Sequence, residues 1–255
     1  MTTHTNELEQ FEVITLDEMK SIHLMDRVDF KFVAPVALLP RLLEAMEPYF
    51  KVQIHNGKRI ANYATQYLDT PDLDFYLMHQ NGKLNRQKIR IRSYQDSQIS
   101  FLEIKNKNNK GRTKKIRVPV TMSHIQSVDD LHDTRIFLDQ NAIFDSQMLT
   151  PTLANSFQRI TMVNNLNTER ITIDVNLAFE NCLTGKQTAF DDMVVLELKQ
   201  DGWQHSDFRD ILINLRIKQQ SFSKYCMGTV MTNADVKYNR FKRKWFLINK
   251  ITHNN

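Results

Sequence analysis

Apolar and polar positions alternate with period two in a series of short runs along the chain, and helical spacing takes over between them. Arg27-Val-Asp29-Phe-Lys31-Phe sets Arg27, Asp29 and Lys31 on one face of a strand and Val28, Phe30 and Phe32 on the other. The same alternation recurs in Arg86-Gln-Lys88-Ile89-Arg90-Ile91-Arg92, in Phe101-Leu-Glu103-Ile104-Lys105 and in Gly111-Arg112-Thr113-Lys114-Lys115-Ile116-Arg117. Residues 60 to 68, 151 to 164 and 169 to 179 read as further strands, the last placing Arg170, Thr172 and Asp174 opposite Ile171, Ile173 and Val175. Val194-Val-Leu-Glu197-Leu-Lys199 puts Glu197 and Lys199 out of phase with Val194, Leu196 and Leu198.

Between the strands the spacing is helical. Thr15-Leu-Asp-Glu18 is a capping box for a short helix carrying Leu16, Met19 and Ile22 on one stripe. A helix over residues 35 to 49 would bury Leu38, Leu39, Leu42, Leu43 and Met46. Asp69-Thr70-Pro71-Asp72 makes a turn in which Thr70 or Asp72 caps a helix through His79. Residues 123 to 145 read as two polar helices joined near Asp133, with Ile136, Phe137 and Leu138 buried, and residues 206 to 217 as a helix with Phe208, Ile211, Leu212 and Leu215 inward. Many strands with helices set between them predict an α+β fold.

At 255 residues with six glycines, six prolines and no linker-like cluster, the chain is expected to be one domain, with residues 1–10 disordered and 237–255 a basic tail. That tail interleaves Phe241, Trp245 and Phe246 with cations, as a solvated end or a docking surface for a membrane or partner would. Two cysteines, Cys182 and Cys226, make no disulfide framework and point to a reducing compartment. No apolar run approaches the roughly 18 residues of a membrane helix, and the polar start lacks a signal peptide. The expectation is a cytoplasmic protein, not membrane-embedded, with the inner face of the membrane as its other station.

Charge changes the picture more than composition does. Residues 86 to 117 hold eleven Lys or Arg against Asp96 and Glu103, a local charge of +9, so the rest of the chain carries −4 of the total +5. Such cations can line the wet face of an ordinary sheet. Three consecutive basic strands are harder to keep, because like charges about 6 Å apart repel by roughly 3 kcal/mol at an effective dielectric of 20. A multiply charged anion would relieve that repulsion. With only Tyr94 and Phe101 as stacking surface in the stretch, phosphate chains fit better than nucleic acid. There is no Gly-x-x-x-x-Gly-Lys-Ser/Thr loop, so phosphate would be bound by side chains.

Lys88-Ile-Arg90-Ile-Arg92-Ser-Tyr, Phe101-Leu-Glu103-Ile-Lys105, Gly111-Arg-Thr-Lys-Lys115-Ile-Arg and Tyr67-Leu-Asp-Thr-Pro-Asp-Leu-Asp-Phe-Tyr76 resemble the VTC domain. That is the polyphosphate-polymerase module of the vacuolar transporter chaperone family, within the triphosphate tunnel metalloenzymes. The resemblance implies a closed antiparallel β-tunnel of about eight strands with helices outside and at its mouths. It implies ATP-dependent transfer of the γ-phosphate to a growing polyphosphate chain, with a metal-dependent triphosphatase or a non-catalytic polyanion binder as the alternatives. Its site would comprise Arg90, Arg92, Lys105, Lys115 and Lys199 around the reacting phosphates, with Lys31, Arg159, Arg170, Ser223 and Lys224 completing the wall. Glu197 would hold Mn²⁺ or Mg²⁺. The implied partners are ATP, tripolyphosphate, pyrophosphate or polyphosphate, with no nucleic acid, and a separate membrane protein if polymer is exported. The wider superfamily carries Glu-x-Glu-x-Lys on its first strand; here Arg27 and Asp29 stand in place of the two acids. Ser223 has no Gly-x-Ser-x-Gly elbow around it, so its expected role is phosphate binding rather than nucleophilic attack.

Overall fold

The computed structural model describes residues 5–22, 24, 27–121 and 124–253. Among them the chain runs α1 (Thr5–Glu9), β1 (Val13–Thr15), α2 (Leu16–Ser21), β2 (Arg27–Pro35), α3 (Leu39–Met46), β3 (Phe50–Ile54), β4 (Ile60–Asp69) and α4 (Asp74–Gln80). It continues with β5 (Arg86–Tyr94), β6 (Ile99–Lys107), β7 (Thr113–Val120), α5 (Arg135–Asn141), β8 (Thr150–Asn164) and β9 (Glu169–Asn181). The last elements are β10 (Gln187–Phe190), β11 (Met193–Asp201), α6 (Asp207–Asn214), α7 (Lys224–Thr232) and α8 (Lys242–His253). The fold is α+β, as the alternating periods predict.

The eleven strands form one sheet whose main path is β2-β11-β9-β8-β4-β5-β6-β7, every neighbouring pair on it antiparallel. β10 pairs with β9, β3 with β8, and β1 runs parallel to β3. Eight strands therefore make the path, but β2 and β7 do not pair among the described residues, and the expectation of a closed tunnel is corrected to an open sheet. The reason lies in the two edges. The segment after α6 occupies the outer side of β2, with Gln220 N donating to Lys31 O at 2.8 Å and Gln219 bridging Phe32. β7 carries Pro119 and exposed Lys114, Lys115 and Arg117, which blunt an edge against further pairing.

One face of the sheet is apolar and covered. Phe30, Phe32, Leu196, Leu198, Ile171 and Ile173 pack under α1, α3 and α6, while Ile89, Ile91, Leu102 and Ile104 pack under α5 and the turn that precedes it. The other face is charged over the half near α2. Its remaining half is filled by α7, α8 and the turn that leads into α8, where Tyr225, Cys226, Phe241 and Ile248 bury Val33, Val195, Leu153 and Phe179. A Cβ at Gly228 would fall 2.5 Å from the Phe179 ring, so α7 seats directly on the sheet at that point.

Several boundaries differ from the sequence reading. Residues 1–4 of the stretch expected to be disordered lie outside the described residues, while Thr5–Glu9 is helical with Leu8 fully buried. β2 extends through Pro35, so α3 begins only at Leu39; Leu39, Leu42, Leu43 and Met46 form its buried stripe. Of the three residues expected in the core near α5, Leu138 alone is fully buried, and Ile136 is 69% exposed, because α5 is a short surface turn held by one stripe. The basic tail is not a solvated end: Phe241 and Ile248 anchor it as a helix in the core. α4 is capped chiefly by Asp69, whose carboxylate accepts from the backbone N–H groups of Thr70, Phe75 and Tyr76. Thr70 Oγ1 adds a bond from Asp74 N at 3.1 Å.

Candidate anion-binding site

The charged face owes its residues to strand register. Lys88 on β5 stands opposite Lys105 on β6, which stands opposite Lys115 on β7, a row of three lysines across three strands. One step along, Arg90 faces Glu103, and Arg92 faces Thr65 on β4. On the far side, Lys31 faces Glu197, Lys199 faces Arg170, and Asp174 faces Arg159. On a flat sheet β2 and β5, five steps apart on the path, would be roughly 24 Å from one another. Yet Lys31 acts electrostatically on Lys88, Lys105 and Lys224, so the sheet curls until its charged face becomes a trough.

Three carboxylates stand in this trough, each clamped by two cations. Glu103 Oε2 accepts from Arg90 Nη2 at 2.6 Å and its Oε1 from Lys115 Nζ at 3.2 Å. Asp174 accepts from Arg159 Nε at 2.6 Å and Nη2 at 2.8 Å, and from Lys224 Nζ. Glu197 lies 3.4 Å from Lys31 Nζ and 3.3 Å from Lys199 Nζ. Burial raises each carboxyl, but the cations outweigh it: Arg90, Arg92 and Lys115 hold Glu103 at about 2. Arg159 and Lys224 hold Asp174 well below the carboxylate range, as Lys199 and Lys31 do Glu197.

The balance is strongly positive. Lys31, Lys88, Arg90, Arg92, Lys105, Lys115, Arg159, Lys199 and Lys224 are nine cations against those three carboxylates, a surplus of six charges. Burial, with Lys31, Arg86 and Arg90 nearby, pushes Lys88 down to about 8 despite an opposing pull from the Cys226 thiol. Burial together with Arg159 pushes Lys224 to about 8, even against Asp174. Burial, Arg90 and Lys31 lower Lys105 in the same way. A lysine held near 8 inside a protein marks charge repulsion that an anion would relieve.

Polar atoms without partners point the same way. Arg92 Nε, Thr65 Oγ1 and both amide atoms of Asn155 are buried and unbonded among the described residues, and the three residues form one cross-strand row. Thr172 Oγ1, directly opposite Glu197, is likewise unbonded. Buried polar groups are nearly always satisfied in folded proteins, so this set wants an oxygen-rich ligand or water. The aromatic floor is larger than the sequence suggested. Tyr63 stacks on Phe157 at 5.2 Å, with Arg92 and Arg159 over Tyr63 at 5.7 and 5.1 Å and Lys224 over Phe157 at 4.3 Å.

Ten of the eleven residues singled out from the sequence, Arg170 being the exception, border this trough. Arg170 sends Nη2 to the carbonyls of Met19 and Ile22 at 2.7 and 3.4 Å, which ties α2 over one end of the charged face. The Ser223 hydroxyl caps α7, accepting from Cys226 N at 3.3 Å and from Lys88 Nζ at 2.9 Å. Sequence reading placed Lys88 on the basic face without naming it as a site residue, and gave Asp174 and Asn155 no role. The period-two face shared with Arg90 and Arg92 carried the signal for Lys88. For Asn155 there was none, because strand pairing alone brings it beside Thr65.

For a divalent metal, the described residues contain no group of three or more His, Cys, Asp or Glu side chains. Glu197 still fits one role. Its two lysines stand off at 3.3 and 3.4 Å, its side chain keeps 17% exposure, and the Thr172 hydroxyl beside it is free. A single carboxylate suits Mg²⁺ or Mn²⁺ that arrives with phosphate and water as its other ligands. The acid of the first strand does not add to it, because Asp29 Oδ1 is paired with Arg27 Nε at 2.8 Å.

Residues 26–233 match the family described as the VTC domain. No curated protein sequence matches the chain. Among solved structures, a candidate adenylate cyclase from Bacillus halodurans is 14% identical, with 78% of this chain and 96% of that one covered at a TM-score of 0.48. HpAC1 from Hippeastrum, described as a candidate adenylyl cyclase that reveals a dominant triphosphatase activity, is 13% identical, with 84% and 99% covered at a TM-score of 0.48. The PH1012 protein from Pyrococcus horikoshii OT3 is 12% identical, with 75% and 91% covered at 0.38.

Proposed function

The chain belongs to the VTC-domain family, and from that premise we propose that it is an ATP-dependent polyphosphate polymerase whose trough encloses the phosphate chain. The observation that carries this reading is the surplus of six positive charges around three clamped carboxylates, with the Lys88–Lys105–Lys115 row left without any acid directly opposite. A curved face of that charge suits a thin, multiply charged chain.

The reaction is an in-line displacement. An oxygen of the terminal phosphate of the acceptor bonds to the γ-phosphorus of ATP, the bond from that phosphorus to the β–γ bridging oxygen breaks, and the electron pair leaves on ADP. The acceptor oxygen is ionised at neutral pH, so no side chain need remove a proton. Arg90, Arg92, Lys105, Lys115 and Lys199 neutralise charge as it shifts onto the leaving diphosphate, with Lys31, Arg159 and Lys224 holding the flanking phosphates. Arg159 and Lys224 are preset by Asp174, and Arg90 by Glu103, so little reorganisation accompanies the reaction. Glu197 would hold Mn²⁺ or Mg²⁺, which when bound would neutralise charge on the phosphates. Synthesis is favoured over hydrolysis by the Arg27–Asp29 pair, which withdraws the acid that a second, water-activating metal would use.

Incubation with ATP, Mn²⁺ and a trace of pyrophosphate primer tests the reading. Long phosphate chains should accumulate on a gel, with ADP release exceeding free phosphate release. Stoichiometric free phosphate without polymer would assign the site to a triphosphatase, and absence of nucleotide turnover with any divalent metal would leave a binding module.

A further inference from the structure

The four cations of β5 do not stop at the central cluster. Arg92, Arg90, Lys88 and Arg86 share one face of the strand, a ladder of about 20 Å. Its inner half meets carboxylates. Among the described residues the hydrogen-bond partners of its outer half are neutral: Lys88 Nζ donates to Ser223 Oγ at 2.9 Å, and Arg86 Nη1 to Lys83 O at 2.8 Å.

Two more cations join this outer half from the C-terminal segment. Lys244 Nζ donates to Ser221 Oγ at 2.6 Å, two residues from the serine that receives Lys88. The Arg240 guanidinium lies against Gly82, close enough that a Cβ there would fall 2.5 Å from Nη1. Phe241 and Ile248, buried among the residues of α7 and the sheet, fix both cations in place. Burial and then Lys88, Arg86, Lys244 and Arg240 push His79 down to about 2, so all four cations converge on one region beside the Cys226–His79 contact. No carboxylate pairs with any of the four among the described residues. Arg240 and Lys244 lie beyond residue 233, where the family match ends.

We propose that Arg86, Lys88, Arg240 and Lys244 form a second phosphate station, continuous with the central cluster through β5, that holds the distal part of a long polyphosphate chain. The inference rests on the polyphosphate reading and deepens it. The central trough takes the reacting phosphates, and chain length is sensed where α8 meets the strand. A short tripolyphosphate seated at Arg90 and Arg92 is expected to fall short of Arg86, four residues or about 13 Å further along β5.

The test compares two ligands on the full chain at fixed salt, tripolyphosphate and long-chain polyphosphate, in the wild type and in R240Q/K244Q. The double variant should lose roughly tenfold in affinity for the long chain, since two phosphate-facing cations are removed, and less than about twofold for tripolyphosphate. R240K/K244R, which keeps both charges, should restore long-chain binding. K244Q alone, expected to lose about threefold, keeps the test open if the double variant does not fold. Equal losses for both ligands, or no loss for the long chain, would overturn the second station. A loss confined to phosphatidylglycerol vesicles would also overturn it and assign the face to a membrane. If the wild type bound neither phosphate ligand, the proposed function itself would fall, a result distinct from any of these.

Discussion

Arg159 and Asp174 meet across β8 and β9 in a bidentate pair, Nε to Oδ1 at 2.6 Å and Nη2 to Oδ2 at 2.8 Å, with Lys224 closing on the same carboxylate from α7. The pair therefore joins the sheet to the helix that fills one half of the trough, and it fixes two proposed phosphate ligands at once.

Asp174→Asn should destabilise the protein by about 3–5 kcal/mol, because it strands two buried cations. The sign with pH follows from the lowered carboxyl: its contribution is full above the unfolded value near 3.9 and is lost as pH falls through the folded one. Urea unfolding at neutral pH and again in acid checks both statements. The gap between wild type and variant should shrink in acid.

Glu103 and Glu197 should separate structure from chemistry. Glu103 is 1% exposed and tightly bonded to Arg90, whereas Glu197 keeps looser lysines and water contact. Glu103→Gln should lower the melting temperature clearly. Glu197→Gln should leave it nearly unchanged and abolish Mn²⁺-dependent turnover, while tripolyphosphate binding without metal persists. Matched melting curves and turnover assays with both variants decide this, and identical behaviour would remove the metal role of Glu197.

Triphosphate affinity should be flat below about pH 8 and fall above it, as Lys88 and Lys224 lose their protons. Lys105 is more open to water than Lys88 and Lys224, so solvent screens it and those two lead the titration. Since a bound polyanion raises these values, binding at pH 8.5, about half a unit above them, should take up protons. Calorimetry in buffers of different ionisation enthalpy measures that uptake, and a buffer-independent heat would contradict it.

Lys105→Met should expose the conflict between fold and function. Lys105 stands between Lys88 and Lys115, so removing its charge should stabilise the free protein by about 1 kcal/mol. The same change should weaken tripolyphosphate binding about tenfold through loss of one central phosphate contact. Thermal unfolding with and without ligand reads both effects.

The alternation of charge and β-branched residues on β5, and the Glu-x-Lys spacings on β6 and β11, were enough to read strands with one basic face, because side-chain direction in a strand depends only on local backbone geometry. The apolar stripe of α3 was legible for the same reason. Local geometry could not say which strands would be neighbours. Pairing across residues distant in sequence decided that Asp174 clamps Arg159, and that Thr65, Asn155 and Arg92 share a row of unbonded polar atoms. Tertiary packing also turned Arg170 toward the carbonyls of Met19 and Ile22, although its face on β9 matched that of Asp174. Closure of the sheet was equally beyond local reading, since it depends on what covers the outer edge of β2, and the segment around Gln220 takes that edge. The tail shows the division most plainly. Its cations and aromatics were visible in order, but only burial of Phe241 and Ile248 against the core decided that Lys244 meets Ser221 and that the Arg240 guanidinium lies against Gly82.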